Sequence, residues 1–187
     1  MAVLLSIAAI VALWFFRRPP LVRAADSMVV AMRDGDGNGI FDAAISDERN
    51  CSDLTPEKVH QAWAILIGPN ITASQFVSKD RTDVESNQTQ AVASFNYHTE
   101  QGDPWTLTVI ANQCAEGTKA NVIYGMLATA SIFSADGHTY STLTSEVALQ
   151  GVRRYRQRLE AIGIHSVMLA PGSCVSWDQL ETRLQPR

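Results

Sequence analysis

Two stretches of alternating residues, AVASFNY at residues 91–97 and WTLTVIA at residues 105–111, decide the fold. Successive side chains of a β-strand point to opposite faces, so this period of two predicts strands with one buried face. Residues 100–104 (EQGDP) carry the glycine and proline of a turn. The two stretches are therefore predicted to be antiparallel neighbours in one sheet, which also includes a short strand at residues 76–77 and a fourth strand at residues 120–132.

Helical patterns precede the strands. Apolar residues recur at helical spacing in residues 21–32, and a short second helix is predicted around Ile40 and Phe41, followed by a polar loop at residues 47–53. A third helix begins at Thr55, whose hydroxyl is placed to cap it, and ends at Gly68-Pro69.

Further helical patterns follow the strands. An amphipathic helix is predicted from Leu143 to Ile162, then a strand at residues 164–169. Ser176 and Gln179 form the sequence pattern of a capping box, which predicts a last helix. The chain is thus predicted to be α+β, with helices packed on a curved antiparallel sheet and a C-terminal helix-strand-helix extension.

The N-terminal segment is predicted to be a transmembrane helix. Residues 2–16 (AVLLSIAAIVALWFF) are apolar except for one serine and span about 22 Å as a helix, which is short for a bilayer. Trp14, Phe15 and Phe16, followed by two arginines, are typical of a membrane interface and are predicted to contact lipid or neighbouring membrane subunits. The predicted organisation is an anchor at residues 1–18, a linker helix at 19–33, an α+β domain at 34–135 and an extension at 136–187.

Two alternatives remain for this segment. A cleavable signal peptide would be cut before Ala25, but it lacks a charged start and has arginines after its apolar run. Those arginines favour a cytoplasmic domain, whereas the cysteines and the sequons at Asn50, Asn70 and Asn87 favour an extracytoplasmic one. We expect an uncleaved anchor and an extracytoplasmic, periplasmic or lumenal domain.

The composition limits the classes of partner and metal that the chain is expected to bind. The 187 residues are 46% hydrophobic and 18% charged, with a net charge of -4, which is typical of one globular domain and gives no basic nucleic-acid-binding surface. Three widely spaced cysteines, Cys51, Cys114 and Cys174, lack zinc-ligand spacing. In an oxidising compartment two of them would pair, and the sequence leaves open which two.

An acidic, glycine-rich stretch offers oxygen ligands in the order of an EF-hand calcium loop. The candidate ligands are Asp34, Asp36, Asn38, Ile40 and Asp42. Position twelve should be a glutamate but is Ile45, so calcium is predicted to bind weakly. The alternative interpretation is a turn whose aspartates cap the next helix.

Other patterns for chemistry are weaker. The four histidines lie on separate elements, Ser173-Cys174 has no identifiable base, and no phosphate-binding glycine loop occurs. Arginines of the long C-terminal helix, Arg153, Arg154 and Arg156, are candidate contacts for an acidic partner, the alternative being a solvated helix face. No catalytic residue and no cofactor other than calcium is predicted.

The helix HQAWAILIGP at residues 60–69, followed by consecutive antiparallel strands, resembles the cone-shaped family of nuclear transport factor two and ketosteroid isomerase. Cystatin-like anchored domains have a similar outline. The resemblance covers roughly residues 25–133 and implies either an assembly subunit or an isomerase with an acid in the cone. The candidates for such a site are Tyr97, Glu100, Asp103 and Tyr124, which the pattern favours as surface or hairpin residues.

The anchor and the absence of a catalytic motif favour a non-catalytic accessory or assembly subunit of a larger membrane complex of respiratory, photosynthetic or secretion type. Its expected partners are integral membrane subunits and the lipid bilayer. The alternatives are a calcium- or small-ligand-binding module and a membrane-tethered isomerase.

Overall fold

A computed structural model describes residues 19–69, 76–86, 89–99, 104–132 and 143–185. Their elements confirm the α+β class. The helices are α1 (Pro20–Asp34), α2 (Gly37–Ala43), α3 (Ser46–Cys51), α4 (Pro56–Leu66), α5 (Val122–Ser131), α6 (Ser145–Ala161) and α7 (Trp177–Leu184). The strands are β1 (Phe76–Ser86), β2 (Gln90–Thr99), β3 (Pro104–Cys114), β4 (Gly117–Lys119), β5 (Ser166–Ala170) and β6 (Ser173–Ser176).

The larger sheet is an antiparallel meander in the order β1-β2-β3-β4. The alternation that predicted β2 and β3 is visible in their burial: Ala93 opposes Val109 and both are buried, whereas the neighbouring Ile110 is half exposed. Helix α1 lies across the buried face, in contact with β1, β2 and β3. In the described part of the sheet, one face therefore packs against a helix and the other carries the exposed side chain of Ile110.

Helix α1 ends where the backbone must turn sharply. Gly35 has a φ of 68°, and the amide of Asp36 closes the turn on the carbonyl of Ala31. A side chain at Gly35 would also meet the ring of Trp63 at 2.8 Å. The indole of Trp63 donates a hydrogen bond to the carbonyl of Met32, which fixes α4 against the end of α1.

The predicted helix starts are confirmed at two places. The hydroxyl of Thr55 accepts a hydrogen bond from the amide of Lys58 at the start of α4. At the start of α7, Ser176 accepts from the amide of Gln179 while the side chain of Gln179 accepts from the amide of Ser176. These local signals depend on neighbouring residues alone, so the sequence contains them in full.

Two local predictions are wrong. Residues 120–132 were expected to form a strand, but residues 122–131 form α5, which is buried on several sides and therefore apolar almost throughout. A short apolar run of this kind does not separate a buried helix from a buried strand. Residues 47–53 were expected to be loop, but α3 occupies Ser46–Cys51 because contacts from distant segments hold both of its ends.

The C-terminal extension is helix α6, the hairpin β5–β6 and helix α7. One hydrophobic core joins it to the segments before it, with buried residues from Leu21 to Leu180. Trp177 is fully buried and its indole donates to the carbonyl of Ile164. The extension thus shares its packing with the preceding helices.

The predicted anchor at residues 1–18 lies outside the described residues. Within the described ranges, none of the helices combines the length and the apolar character that crossing a bilayer requires.

Gly151 of α6 should not tolerate a side chain. A Cβ there would overlap Oγ and Cβ of Ser131 on α5, so Gly151→Ala forces the two helices apart. We expect it to lower the free energy of unfolding by about 1–3 kcal/mol.

Gly125→Ala is the matched control, since Gly125 is also helical but a Cβ there meets nothing within 4 Å. It should raise stability by up to about 1 kcal/mol through helix propensity. Urea unfolding of both variants measures the difference, and equal effects would contradict the close packing of α5 on α6.

Candidate functional site

An open groove of about 660 Å³ lies between α1 and α2. Its floor is apolar, and the apolar lining residues are Ala24, Met28, Val30, Ala31 and Ala43. Its rim carries four carboxylates, those of Asp26, Asp34, Asp36 and Asp42. An apolar floor with charged groups around it is the usual composition of a ligand-binding surface.

Small residues allow the two helices to approach each other at one end of the groove. A Cβ at Gly39 would lie 2.9 Å from Cβ of Ala31 and 2.8 Å from a carboxylate oxygen of Asp36. The glycine spacing that suggested a calcium loop therefore has a packing role in this structure.

The rim carboxylates have different surroundings. Asp34 forms an ion pair with Arg33 of the same helix. One oxygen of Asp36 accepts a hydrogen bond from the amide of Asn38 and so caps α2. Lys119 donates to the backbone carbonyl of Asp42. The side chains of Asp36 and Asp42 are both exposed, so a cation entering the groove can reach them.

The structure separates the five predicted calcium ligands. Asp34, Asp36 and Asp42 line the groove, while Asn38 is exposed and Ile40 is buried in the core. Because residues from Gly37 onward are helical, they do not form the extended loop of an EF-hand, and Asp36 caps the next helix as in the alternative interpretation. Within the described ranges, no three His, Cys, Asp or Glu side chains converge as metal ligands. Calcium binding stays a prediction, with the groove as its site.

Glu48 of α3 is a feature that the sequence did not indicate. Its side chain is fully buried, and its two oxygens accept hydrogen bonds of 2.8 Å from the amides of Val122 and Ile123 at the start of α5. Burial raises the pKa of Glu48 from 4.5 to about 7, although these amides and that of Tyr124 lower it. The residues that it caps are 74 and 75 positions away, so no local pattern reveals the contact.

A buried carboxyl with a raised pKa is the usual signature of a general acid or base. Glu48, however, has no solvent-accessible surface, and a backbone amide occupies each of its oxygens. A substrate therefore has no access to it, and the geometry assigns it the role of a buried helix cap.

A disulfide joins Cys51 at the end of α3 to Cys174 in β6, and Cys114 is free and half-buried. Beside the disulfide, the hydroxyl of Ser52 donates to the carbonyl of Ser166 at 2.9 Å, and the hydroxyl of Ser166 donates to the carbonyl of Cys51. A cavity of about 340 Å³ lies next to this bond. The structure thus selects one of the three pairings that the sequence left open.

The predicted partner-binding residues fall into two groups. Trp14, Phe15 and Phe16 lie outside the described residues. The guanidinium of Arg156 forms ion pairs with Glu160, Asp178 and Glu181. The pairs with Asp178 and Glu181 connect α6 to α7, and the hydrogen bonds to these carboxylates raise the pKa of Arg156. Nε of Arg153 lies 3.9 Å from a carboxylate oxygen of Glu181. Arg154 stacks over the ring of Tyr155. A partner-binding role for these arginines stays a prediction.

The predicted isomerase residues are not assembled by the described part of the fold. Tyr124 lies on α5 and is half-buried. Residues 100–103, which include Glu100 and Asp103, and the side chain of Tyr97 lie outside the description.

No known protein family, curated protein or solved structure matches the chain.

Glu48 should make the domain less stable as the pH rises. Its folded pKa of about 7 lies above the value of 4.5 for the unfolded chain, so the folded state holds this proton more tightly. The resulting stabilisation is complete below pH 4.5 and is lost as the pH rises to about 7, a change on the order of 3 kcal/mol. Urea unfolding over roughly pH 4–8 measures it.

Glu48→Gln is the control, because it cannot titrate and keeps only one acceptor oxygen. It should be less stable than the wild type at low pH, and the gap between the two proteins should narrow as the pH rises. Other carboxyls, such as Glu116, are common to both proteins and cancel in the comparison. A gap that stays constant would show that the pKa of Glu48 is the same in the folded and unfolded chains.

Proposed function

We propose that this protein is a non-catalytic accessory subunit of a membrane complex, held by its N-terminal apolar segment with the folded domain outside the cytoplasm. The groove between α1 and α2 is its binding surface, and a basic amphipathic segment of a neighbouring membrane subunit is the occupant. The observation that carries this proposal is the position of the groove on α1, the first helix after the apolar segment.

The disulfide supports the location. Bonds such as Cys51–Cys174 form and persist in oxidising compartments and are rare in the cytosol. Since Cys174 is exposed, the bond is accessible to cytosolic reductants if the domain faces that side. An extracytoplasmic domain fits this chemistry better.

The short distance between the groove and the predicted anchor supports a membrane subunit as the partner. Helix α1 begins at Pro20, directly after the predicted anchor, and its 15 residues extend about 22 Å. The α1 residues that line the groove begin at Ala24, so the binding surface starts within two turns of the anchor. Segments of other membrane subunits that leave the bilayer can reach this height without a long linker.

The chemistry of the groove supports a basic occupant. Lysine and arginine place their aliphatic stems on an apolar floor while their charges reach the carboxylates of Asp36 and Asp42. Exposed ion pairs contribute up to about 1 kcal/mol each, so the apolar contact supplies most of the affinity and the rim selects the sign of charge. The groove therefore discriminates partners by charge as well as by shape.

A cone-like fold of the nuclear transport factor two or cystatin type is part of the same proposal. One helix packed across an antiparallel meander, as α1 packs on β1–β3, is consistent with that outline. Since fold does not fix function, this likeness adds no substrate.

A second candidate function is the binding of calcium or a small organic cation in the same groove. Asp34, Asp36 and Asp42 of the acidic, glycine-rich stretch line it together with Asp26. A volume of about 660 Å³ lies in the range of small-ligand sites, about 300–1,000 Å³.

Filling the groove should abolish partner binding. Ser27 is exposed and lines the groove, so Ser27→Trp occupies the space without disturbing the core. Gln150→Trp places the same ring on the exposed face of α6 and is the matched control. Affinity purification from native membranes in gentle detergent, with mass spectrometry, should recover the same partners with wild type and Gln150→Trp and lose them with Ser27→Trp. Recovery of the wild-type chain alone would contradict an accessory role.

The two candidate functions separate in a calcium titration of the purified protein. A calcium site in the groove should raise the melting temperature with increasing calcium, because only the folded state binds the ion. Asp42→Asn should weaken this response, whereas Asp47→Asn, an exposed aspartate outside the groove, should not. An unchanged melting temperature at millimolar calcium would exclude a calcium site in the groove.

A further inference from the structure

The order of the three cysteines conflicts with the native pairing. The structure joins the first, Cys51, to the third, Cys174, and leaves the second, Cys114, as a free thiol. If the domain folds outside the cytoplasm, as proposed above, the chain meets an oxidising compartment with Cys51 and Cys114 arriving before Cys174. The first oxidation then joins the wrong pair.

Loop closure also disfavours the native pair. Cys51 and Cys114 are 63 positions apart and Cys114 and Cys174 are 60 apart, against 123 for the native bond. The probability that two chain positions meet falls with about the 3/2 power of their separation. Each shorter loop therefore closes roughly threefold more readily than the native one.

A bond between Cys51 and Cys114 excludes the native bond, because Cys51 can hold only one disulfide partner at a time. Two hydrogen bonds between residues 51–52 and Ser166 seat the hairpin β5–β6 on the end of α3, which brings Cys174 to Cys51. Cys114 meanwhile ends β3 and opposes Gly117 in the next strand. Completing the fold requires Cys51 to exchange one partner for the other.

We infer that the native bond forms by disulfide exchange from a Cys51–Cys114 precursor, and that the chain is a client of a thiol–disulfide isomerase. The catalyst's thiolate attacks Cys51, the bond to Cys114 breaks, and Cys114 leaves as a thiolate that takes up a proton. The thiolate of Cys174 then attacks Cys51 in this mixed disulfide and releases the catalyst's thiolate unchanged. The exchange involves no net oxidation, so no further oxidant is required.

The surroundings of the native bond suit such a catalyst. Cys174 is exposed and Cys51 is half-buried, and the 340 Å³ cavity beside them opens between the end of α3 and the β5–β6 turn. The native bond is therefore reachable by an incoming thiol even with the hairpin in place. Cys114 is the transient partner, which gives this otherwise unpaired thiol a role in folding.

The test follows the full chain during export by pulse-chase, with thiols trapped by alkylation and disulfides mapped by mass spectrometry. Cells that lack disulfide isomerases should accumulate the Cys51–Cys114 species, and cells that have them should convert it to Cys51–Cys174. Cys114→Ser should acquire the native bond at the same rate in both, because no wrong partner precedes Cys174. Wild type that reaches Cys51–Cys174 equally fast in both cells, without a Cys51–Cys114 species, would overturn the inference.

Refolding the purified, reduced chain in a glutathione buffer keeps the inference independent of location. A Cys51–Cys114 or Cys114–Cys174 species should precede the native bond there, and an added isomerase should accelerate wild type but not Cys114→Ser. Three free thiols in the cell would refute the extracytoplasmic location alone. Direct formation of Cys51–Cys174 in the buffer would refute the exchange pathway alone.

Discussion

The contact between the carboxylate of Glu48 and the first amides of α5 is the constraint on which the rest of the domain depends. Helix α5 touches α2, α4, α6, β3 and β5, so its position determines how the N-terminal helices, the sheet and the C-terminal extension meet. A helix start buried without acceptors for its amides is strongly unfavourable. Glu48 supplies both acceptors at once, and these hydrogen bonds offset part of the cost of burying its carboxyl group.

The residue that precedes α5 does not cap it with its side chain, as residues at this position usually do. Asn121 immediately precedes α5, and asparagine is among the preferred capping residues. Its side-chain amide instead donates to the carbonyl of Met168, and its buried side-chain oxygen has no hydrogen-bond donor among the described residues. Asn121 therefore ties α5 to β5, while Glu48, from far earlier in the chain, performs the capping.

The difference between local and long-range contacts explains which features the sequence predicts. The caps at Thr55 and Ser176 and the alternation of β2 and β3 involve near neighbours or a simple period, and they are visible in the sequence. The sequence predicts a strand in place of α5 because burial on several sides removes the polar face that marks a helix. The acidic, glycine-rich stretch is visible in the sequence, but the groove requires α1 and α2 to be placed side by side. Glu48 and the Cys51–Cys174 pairing require contacts across 74 to 123 positions. Such contacts leave no periodic trace.

Helix α3 shows how strongly these distant contacts act. Six residues are too few to form a stable helix alone, since nucleation consumes most of the stabilisation that so few hydrogen bonds give. Glu116 from the β3–β4 turn accepts from the amide and hydroxyl of Ser46 at its start, and these bonds hold the pKa of Glu116 below its usual range. The disulfide of Cys51 secures its end. One distant carboxyl group thus caps α3, and α3 positions the carboxyl group that caps α5, so the two helix starts depend on each other through tertiary contacts.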